Sequence, residues 1–536
     1  MKLSKSLSFI RPVVTALAVT LSLGVSHNAM AQSKDVLVVA VPGDIQNLDP
    51  TLSGGDIPTQ EFLTNVYDWL IDYKMIENAD GTLSADPSGF VGGLAESYDW
   101  SEDGKTITFK LRKGLKFSNG DPLNAEAVKF TYDRIFDQKG VAASLMGMAS
   151  VKKKEQIKVI DPLTVALTVE KPNTLLLGNM AQFPHSILNP KVVKPHMTKE
   201  DPYAHEWLKT HVQGTEQGAF KLANWTPGDS WVLERNENYW GTPAKLSKVI
   251  FKIIPDPSSR LAQLVSGAVD VAYNLPTSDI KALEENPDIT VNRDTNRTVT
   301  YIGLNNKVKP FDNKLVRQAI SYAFPYDTII DQVMNGYATQ LTSPIPEGTP
   351  PHTDEFFKYK NDPAKAKELL KEAGYPNGFS TTLQIPSGLQ EAKEMAIYAQ
   401  QTLGMAGIKI NIQEMPSAAF TENLQKHTLG MFFASGWTSI NNDPFYHLFW
   451  LFQSKCCNYA NYDNPELANL IEKYTLNTDI EARNKAAVEA QKMIVEDAPW
   501  VFLYQPQNLV ATRANVKGYT FFSADRYNRF QYMYKE

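Results

Sequence analysis

Residues 36–41, Val-Leu-Val-Val-Ala-Val, are apolar without interruption, the pattern of a strand covered on both faces. Past Asp49-Pro50 and the loop Ser53-Gly54-Gly55-Asp56-Ile57-Pro58, apolar residues recur at helical spacing and predict a helix over 60–71. The period then changes. Lys105-Thr106-Ile107-Thr108-Phe109-Lys110-Leu111-Arg112 alternates polar and apolar residues, as a half-exposed strand does. A helix is predicted over 125–136, and a hairpin over 157–169 that turns at Asp161-Pro162. This α+β stretch reads as a lobe inserted into the chain around it.

Alternation returns over 222–236 and 248–254, with Trp225, Trp231, Tyr239 and Trp240 close by, before a helix over 257–268 and a short strand over 269–273. Beyond Asn296 helices dominate, over 316–324, 327–335 and 363–373. The last is punctuated by Asp362 as N-cap, Pro363 at its first position and Gly374 at its stop. A helix over 390–407 leads into an alternating strand over 408–412, the signature of an α/β lobe. Helices over 465–476 and 480–496 precede a strand over 500–504. The style of the chain thus shifts near residues 71, 215, 296 and 504, and no repeat or low-complexity tract interrupts it.

The first 31 residues form a separate pattern: basic Lys2, Lys5 and Arg11, an apolar stretch over 13–25, and the small-x-small site Ala29-Met30-Ala31. This is an export signal, cleaved after Ala31; a retained N-terminal anchor is the alternative. Removing 31 of the 536 residues leaves 505, and losing those three basic side chains moves the formal charge from −6 to −9. A mildly acidic body argues against a nucleic-acid partner. No later stretch reaches the roughly 18 apolar residues of a membrane span. No cysteine follows the apolar stretch to carry a lipid, so the expected location is the periplasm. The two cysteines, Cys456 and Cys457, are adjacent and form either a vicinal disulfide or two reduced thiols. Neither has a His or Asp at zinc-ribbon spacing.

Several blocks, taken together, resemble one family. Leu94-Ala95-Glu96-Ser97-Tyr98, then Leu111-Arg112-Lys113-Gly114-Leu115-Lys116-Phe117 to Gly120, and Ala125-Glu126-Ala127-Val128 carry the most specific stretch. Supporting blocks are Asn47-Leu48-Asp49-Pro50, Asn224-Trp225-Thr226-Pro227-Gly228, Arg235-Asn236-Glu237-Asn238-Tyr239-Trp240, Val316-Arg317-Gln318-Ala319-Ile320 and Tyr462-Asp463-Asn464-Pro465-Glu466-Leu467. The chain is similar along its mature length to the extracytoplasmic solute-binding proteins of ABC transporters, family 5, the dipeptide, oligopeptide and nickel group. The resemblance implies an α/β fold, a two-lobed periplasmic-binding-protein clamshell with an additional inserted α+β domain. It implies a first lobe built from 32–70, 215–295 and 505–536, the insertion at 71–214, and a second lobe at 296–504. Such a protein closes by a hinge around its solute, because the closed state offers contacts from both lobes. The expected partners are a small-molecule solute and an inner-membrane ABC permease with its ATPase subunits. The protein is expected to be a monomer needing no cofactor and no nucleotide.

In peptide-binding relatives, an aspartate three residues after a Gly-Trp pair meets the ligand's terminal amine. The matching stretch here is Gly436-Trp437-Thr438-Ser439-Ile440, which places an uncharged Ile440 at that position. Asp443, in Asn441-Asn442-Asp443-Pro444, is the nearby acid that stands as its candidate replacement. Trp437 is similar to the family's cleft tryptophan; packing in the core is its alternative reading. Ser53, Gly54 and Gly55 resemble the loop whose backbone meets extended ligands. Tyr504 stands where the chain returns through the hinge, facing either cleft or core. The aromatic run over 445–452 beside the cysteines reads as helix packing, or as a wall for an apolar, sugar-like or aromatic solute whose selectivity would rest on Asn441, Asn442 and Asp443. The functional expectation is a receptor for a peptide or peptide-like solute, with an opine, a sugar-like or aromatic solute, or a nickel complex as the alternative. A periplasmic enzyme is the remote rival: Gly-x-Ser-x-Gly, His-Glu-x-x-His, a phosphate loop and a dinucleotide fingerprint are all missing. His196, His205 and His211 do not share one helix face and read as a solvated loop rather than metal ligands.

Overall fold

The run at Val36–Val41 becomes a strand with parallel neighbours on both sides, Lys248–Ile253 and Val271–Tyr273. Its side chains divide as a pleat requires: Leu37, Val39 and Val41 enter one hydrophobic core, and Val38 and Ala40 another. Burial on both faces is what the uninterrupted apolar sequence encodes. The computed structural model describes residues 33–52, 56–77, 83–295, 297–454, 456–522 and 527–536. The export segment 1–31 and the loop Ser53-Gly54-Gly55 lie outside the described residues.

Twelve strands of the described residues join in one sheet. From one edge it runs through Ile408–Met415, Phe379–Pro386, Met431–Thr438, Thr298–Leu304 and Trp500–Arg513. It continues through Val271–Tyr273, Val36–Val41, Lys248–Ile253, Ser230–Arg235 and Phe220–Thr226. Two further strands, Ile289–Thr295 and Ala338–Gln340, also pair with Trp500–Arg513. A separate antiparallel sheet holds Ala95–Trp100, Thr106–Leu111, Thr164–Thr168 and Ile157–Asp161. In its strand Thr106–Leu111, Ile107, Phe109 and Leu111 point inward while Lys110 is exposed, as the alternation predicts. The helix Ala125–Gln138 packs on this sheet, capped by Asn124, which accepts from the backbone of Glu126 and Ala127.

The hydrophobic interior follows the same partition. One large core gathers residues from Leu37 to Tyr273 and the C-terminal Val510, Val516, Phe521 and Phe530, so the first part of the chain, the α+β stretch and the C-terminus share it. A second core runs from Val299 to Tyr504. The fold is the two-lobed α/β clamshell with additional α+β structure. Among the described residues, no helix is long and apolar enough to cross a membrane.

Several elements differ in their bounds from the sequence expectation. The helix predicted over 60–71 is Ile57–Val66, started by Asp56, whose side chain accepts from Thr59 N. It ends early because Trp69 and Leu70 give their carbonyls to Leu94 and Gly93, and Ile71 pairs with Gly92. The helix predicted over 327–335 finishes as a π-turn, Ile329–Val333. The strand predicted over 500–504 continues to Arg513, 14 residues in all. The helix Pro363–Glu372 matches its punctuation, with Asp362 accepting from Lys365 N and Gly374 in the left-handed region at φ 89°.

Candidate functional site

The chain crosses into the second core where Ile289–Thr295, whose Ile289 packs in the smaller core with Val38 and Ala40, passes into Thr298–Leu304, and crosses back within Trp500–Arg513. The crossings lie side by side: Thr295 is opposite Gln507 and Thr300 is opposite Tyr504. Two adjacent strands therefore form the hinge, and the space beside them is where the halves face one another.

That space holds two chambers meeting at Gly436. The smaller, about 140 Å³, is bounded by Glu61, Tyr273, Asn274 and Asn528 from the first core's side and by Thr298 and Gly436 from the second's. The larger, about 560 Å³, has Tyr301, Phe420, Phe433, Trp437, Leu451 and Tyr459 among its walls. An apolar cavity with a few polar groups at one end suits a small organic ligand. A bulge shapes the junction: Val299 pairs with Trp437 but Tyr301 with Ala434, so Ser435 and Gly436 oppose the single residue Thr300. Gly436 takes φ 85° there, a conformation that favours glycine, and the bulge redirects Trp437 along the chamber wall. The indole is half-buried, and its Nε1 has no hydrogen-bond partner among the described residues.

Among the described residues of the sequence-derived set, Trp437 alone lines a chamber. Ile440, Asn441, Asn442, Asp443 and Tyr504 line neither, and each has a physical reason. The Ile440 carbonyl accepts from Gln182 Nε2 at 2.5 Å. The Asn441 amide donates to Asn179 Oδ1 at 2.7 Å and to the Leu175 carbonyl at 3.3 Å. Asn442 Oδ1 accepts from Arg297 Nη1 at 2.6 Å and Thr349 Oγ1 at 3.2 Å. Asp443 caps the helix Pro444–Leu448 through Phe445 N and pairs with Arg483, both oxygens lying 2.8 Å from Nη2. Tyr504 is 3% exposed and sits in the second core.

Cys456 and Cys457 form a vicinal disulfide. Their loop lies between Leu451 and Tyr459, which both border the larger chamber. The aromatic run is mainly packing: Phe445, Leu448, Leu451 and Phe452 belong to the second core. His196 and His211 stack on Trp207, at 4.0 and 5.1 Å between ring centroids, while His205 Nδ1 is 2.7 Å from Asp49 Oδ2.

The sequence reading passed over Glu61, Tyr273 and Asn528. The one available signal was a carboxylate inside a helix whose other residues suit burial; Thr59 to Val66 are all buried.

Known proteins resemble this chain in sequence and fold. Residues 89–458 match the model of the bacterial extracellular solute-binding proteins, family 5. The chain is 29% identical over 527 residues to the probable D,D-dipeptide-binding periplasmic protein DdpA of Escherichia coli (strain K12), covering 97% of each. It is 31% identical over 516 residues to the glutathione-binding protein GsiB of Shigella flexneri, covering 93% of this chain and 95% of that one. Among solved structures, the periplasmic binding protein DppA of Helicobacter pylori, in complex with the peptide STSA, superposes with a TM-score of 0.79 at 29% identity, covering 94% of this chain and 98% of that one. These relatives are binding proteins and not enzymes, and so is this one. With its hinge, its facing halves and a match across most of its length, the chain belongs to the bacterial extracellular solute-binding proteins, family 5.

Proposed function

We propose that the protein is a periplasmic receptor that captures a small organic solute, a peptide or peptide-like molecule, and hands it as a monomer to an ABC permease with its ATPase subunits. The observation that carries this reading is the pair of chambers joined at Gly436 beside the hinge. A ligand spanning them touches both cores, and contacts with both favour the closed state that a permease recognises. The names of the relatives favour peptides, and the expected export signal with its cleavage after Ala31 favours the periplasm. Within this reading the first lobe comprises 32–70, 215–295 and 505–536, the insertion 71–214, and the second lobe 296–504; the separate core from Val299 to Tyr504 supports the last of these. Trp437 is the aromatic wall against which the solute packs.

One observation favours a non-peptide solute, such as an opine, a sugar-like or aromatic compound, or a nickel complex. Ile440 cannot carry charge, and Asp443 is engaged by Arg483. A thermal-shift screen of ligand-stripped mature protein across these classes, with free peptides and glutathione, decides between them. A ligand at about 100 times its Kd adds roughly 2.7 kcal/mol of stability. Stabilisation by peptides supports the first reading, and stabilisation only by another class replaces it. A Trp437→Phe variant that binds the hit as tightly as wild type would remove Trp437 from the site.

A further inference from the structure

Resting on the reading of these chambers as the solute site, we propose that the larger chamber seats an uncharged aromatic group. The solute, whether a peptide or another compound, therefore carries a ring that bears no charge.

Five rings from four parts of the chain converge on this chamber. Tyr301 comes from the strand Thr298–Leu304, Phe433 and Trp437 from Met431–Thr438, Phe420 from the helix Ser417–Gln425, and Tyr459 from the loop beyond the disulfide. That helix buries Phe420 alone among its nine residues, and spends it on the chamber wall. The opposite wall is fixed from behind: the Tyr301 ring stacks on Trp500 at 3.8 Å between centroids, and Trp500 packs on Phe452 at 4.6 Å. Rings held in this way lose little freedom when a guest enters.

The chemistry of the walls is neutral. Among the described residues that line this chamber none has a charged side chain, and Ser387, Ser417, Thr421 and Ser435 offer hydroxyls. Burial raises the phenols of Tyr301 and Tyr459 above their ordinary value, so neither ionises near neutral pH. The more polar side of the cleft, with Glu61, Asn274, Asn508 and Asn528, borders the smaller chamber. A charged group entering the larger chamber would leave water without meeting a counter-charge there, which is costly. An aliphatic group would be accepted for its apolar area, but aromatic walls add edge-to-face and offset contacts that only another ring completes. With about 560 Å³ available, the chamber has room for the ring and the body that carries it.

The test titrates four groups into the mature protein by calorimetry: phenyl, cyclohexyl, 4-(aminomethyl)phenyl and 4-carboxyphenyl. Each is presented on two frames, as the second side chain of an alanyl dipeptide and on acetamide. Phenyl is expected to bind about 2- to 12-fold more tightly than cyclohexyl, the margin that ring-on-ring contact adds to burial. Either charged ring should bind at least about 30-fold more weakly than phenyl. Phe420→Leu keeps the wall apolar but removes a ring, and should narrow the phenyl margin about twofold. The wild-type comparisons decide the question even if the variant fails to fold. Cyclohexyl binding as tightly as phenyl, a charged ring binding within about threefold of it, or an unchanged margin in a folded Phe420→Leu protein overturns the assignment, and leaves the peptide reading intact wherever the dipeptides bind. The expected order on the acetamide frame alone supports the assignment and removes the peptide reading. If phenyl binds on neither frame the assignment falls, and a ring-free solute from the screen would still uphold the cleft.

Discussion

At Gly178 a Cβ would stand 2.6 Å from Asn441 Oδ1 and 2.8 Å from its Nδ2, so Gly178→Val displaces that amide. The segment around Gly178 belongs to the first core, with Leu175, Leu176 and Met180 in it, whereas residues 440–443 lead into Phe445 of the second. The bonds joining them link residues outside the hinge strands, and opening of the hinge is expected to break them. They run from Gln182 to the Ile440 carbonyl, from Asn441 to Asn179 and to the Leu175 carbonyl, and from Thr174 and Arg483 around Asp443. A buried hydrogen bond contributes about 0.5–1.5 kcal/mol net, so losing the two Asn441 bonds removes about 1–3 kcal/mol. With those contacts made in the closed state and broken in the open one, the loss falls on closure and is expected to reappear in the apparent affinity, as about 5- to 150-fold. Calorimetric titration of wild type and variant with one ligand from the screen measures it. The apo melting temperature of the variant should stay near that of wild type. A lower melting temperature with an unchanged Kd would refute the reasoning, because the contact would then persist in the open protein.

Three further outcomes are expected. Arg483→Met strands the buried Asp443 carboxylate, at a cost of about 3–5 kcal/mol by urea denaturation, and adding Asp443→Asn should recover part of it; a cost within about 0.5 kcal/mol would contradict the pairing. Burial holds the His185 imidazole down at about 3, and burial followed by Arg297 does the same for His447. A folded value below the unfolded one means fewer protons bound in the folded state, so stability falls as pH drops from 6.5 toward 3, by about 2 kcal/mol per histidine at pH 5. His185→Phe should flatten melting temperature against pH between 7.5 and 5, and an unchanged slope would count against a buried neutral ring. The Cys456–Cys457 bridge joins neighbours and closes almost no chain, so reducing it should shift the melting temperature by less than about 2 °C; a larger shift would assign it to supporting the chamber wall at Leu451 and Tyr459.

What could be read from the sequence followed from local rules. Thr106–Leu111 was legible because its alternation is complete, and Pro363–Glu372 because Asp362, Pro363 and Gly374 each act within a turn of the helix. Trp500–Arg513 was legible only to Tyr504. The next residues, Gln505-Pro506-Gln507-Asn508, are polar and include a proline, since the strand leaves one core there and enters another. Trp437 was legible through a motif. Asn441 and Asp443 were not, because their partners Asn179 and Thr174 lie 262 and 269 residues away. Glu61 was not singled out, because its partners Tyr273 and Asn528 lie 212 and 467 positions away.

The C-terminal segment that supports the helix Ile57–Val66 sets the order in which the molecule can finish folding. Asn65 bonds to residues 463 and 465 positions later, and the strand Val271–Tyr273 beside Val36–Val41 needs Trp500–Arg513 as its other neighbour. For a chain delivered across a membrane from its N-terminus, the earliest half to emerge is the last to be completed. Contacts of such long sequence separation form slowly. The second half, whose core is drawn from one continuous stretch, can assemble first and present Trp500–Arg513 as the template on which the first half closes.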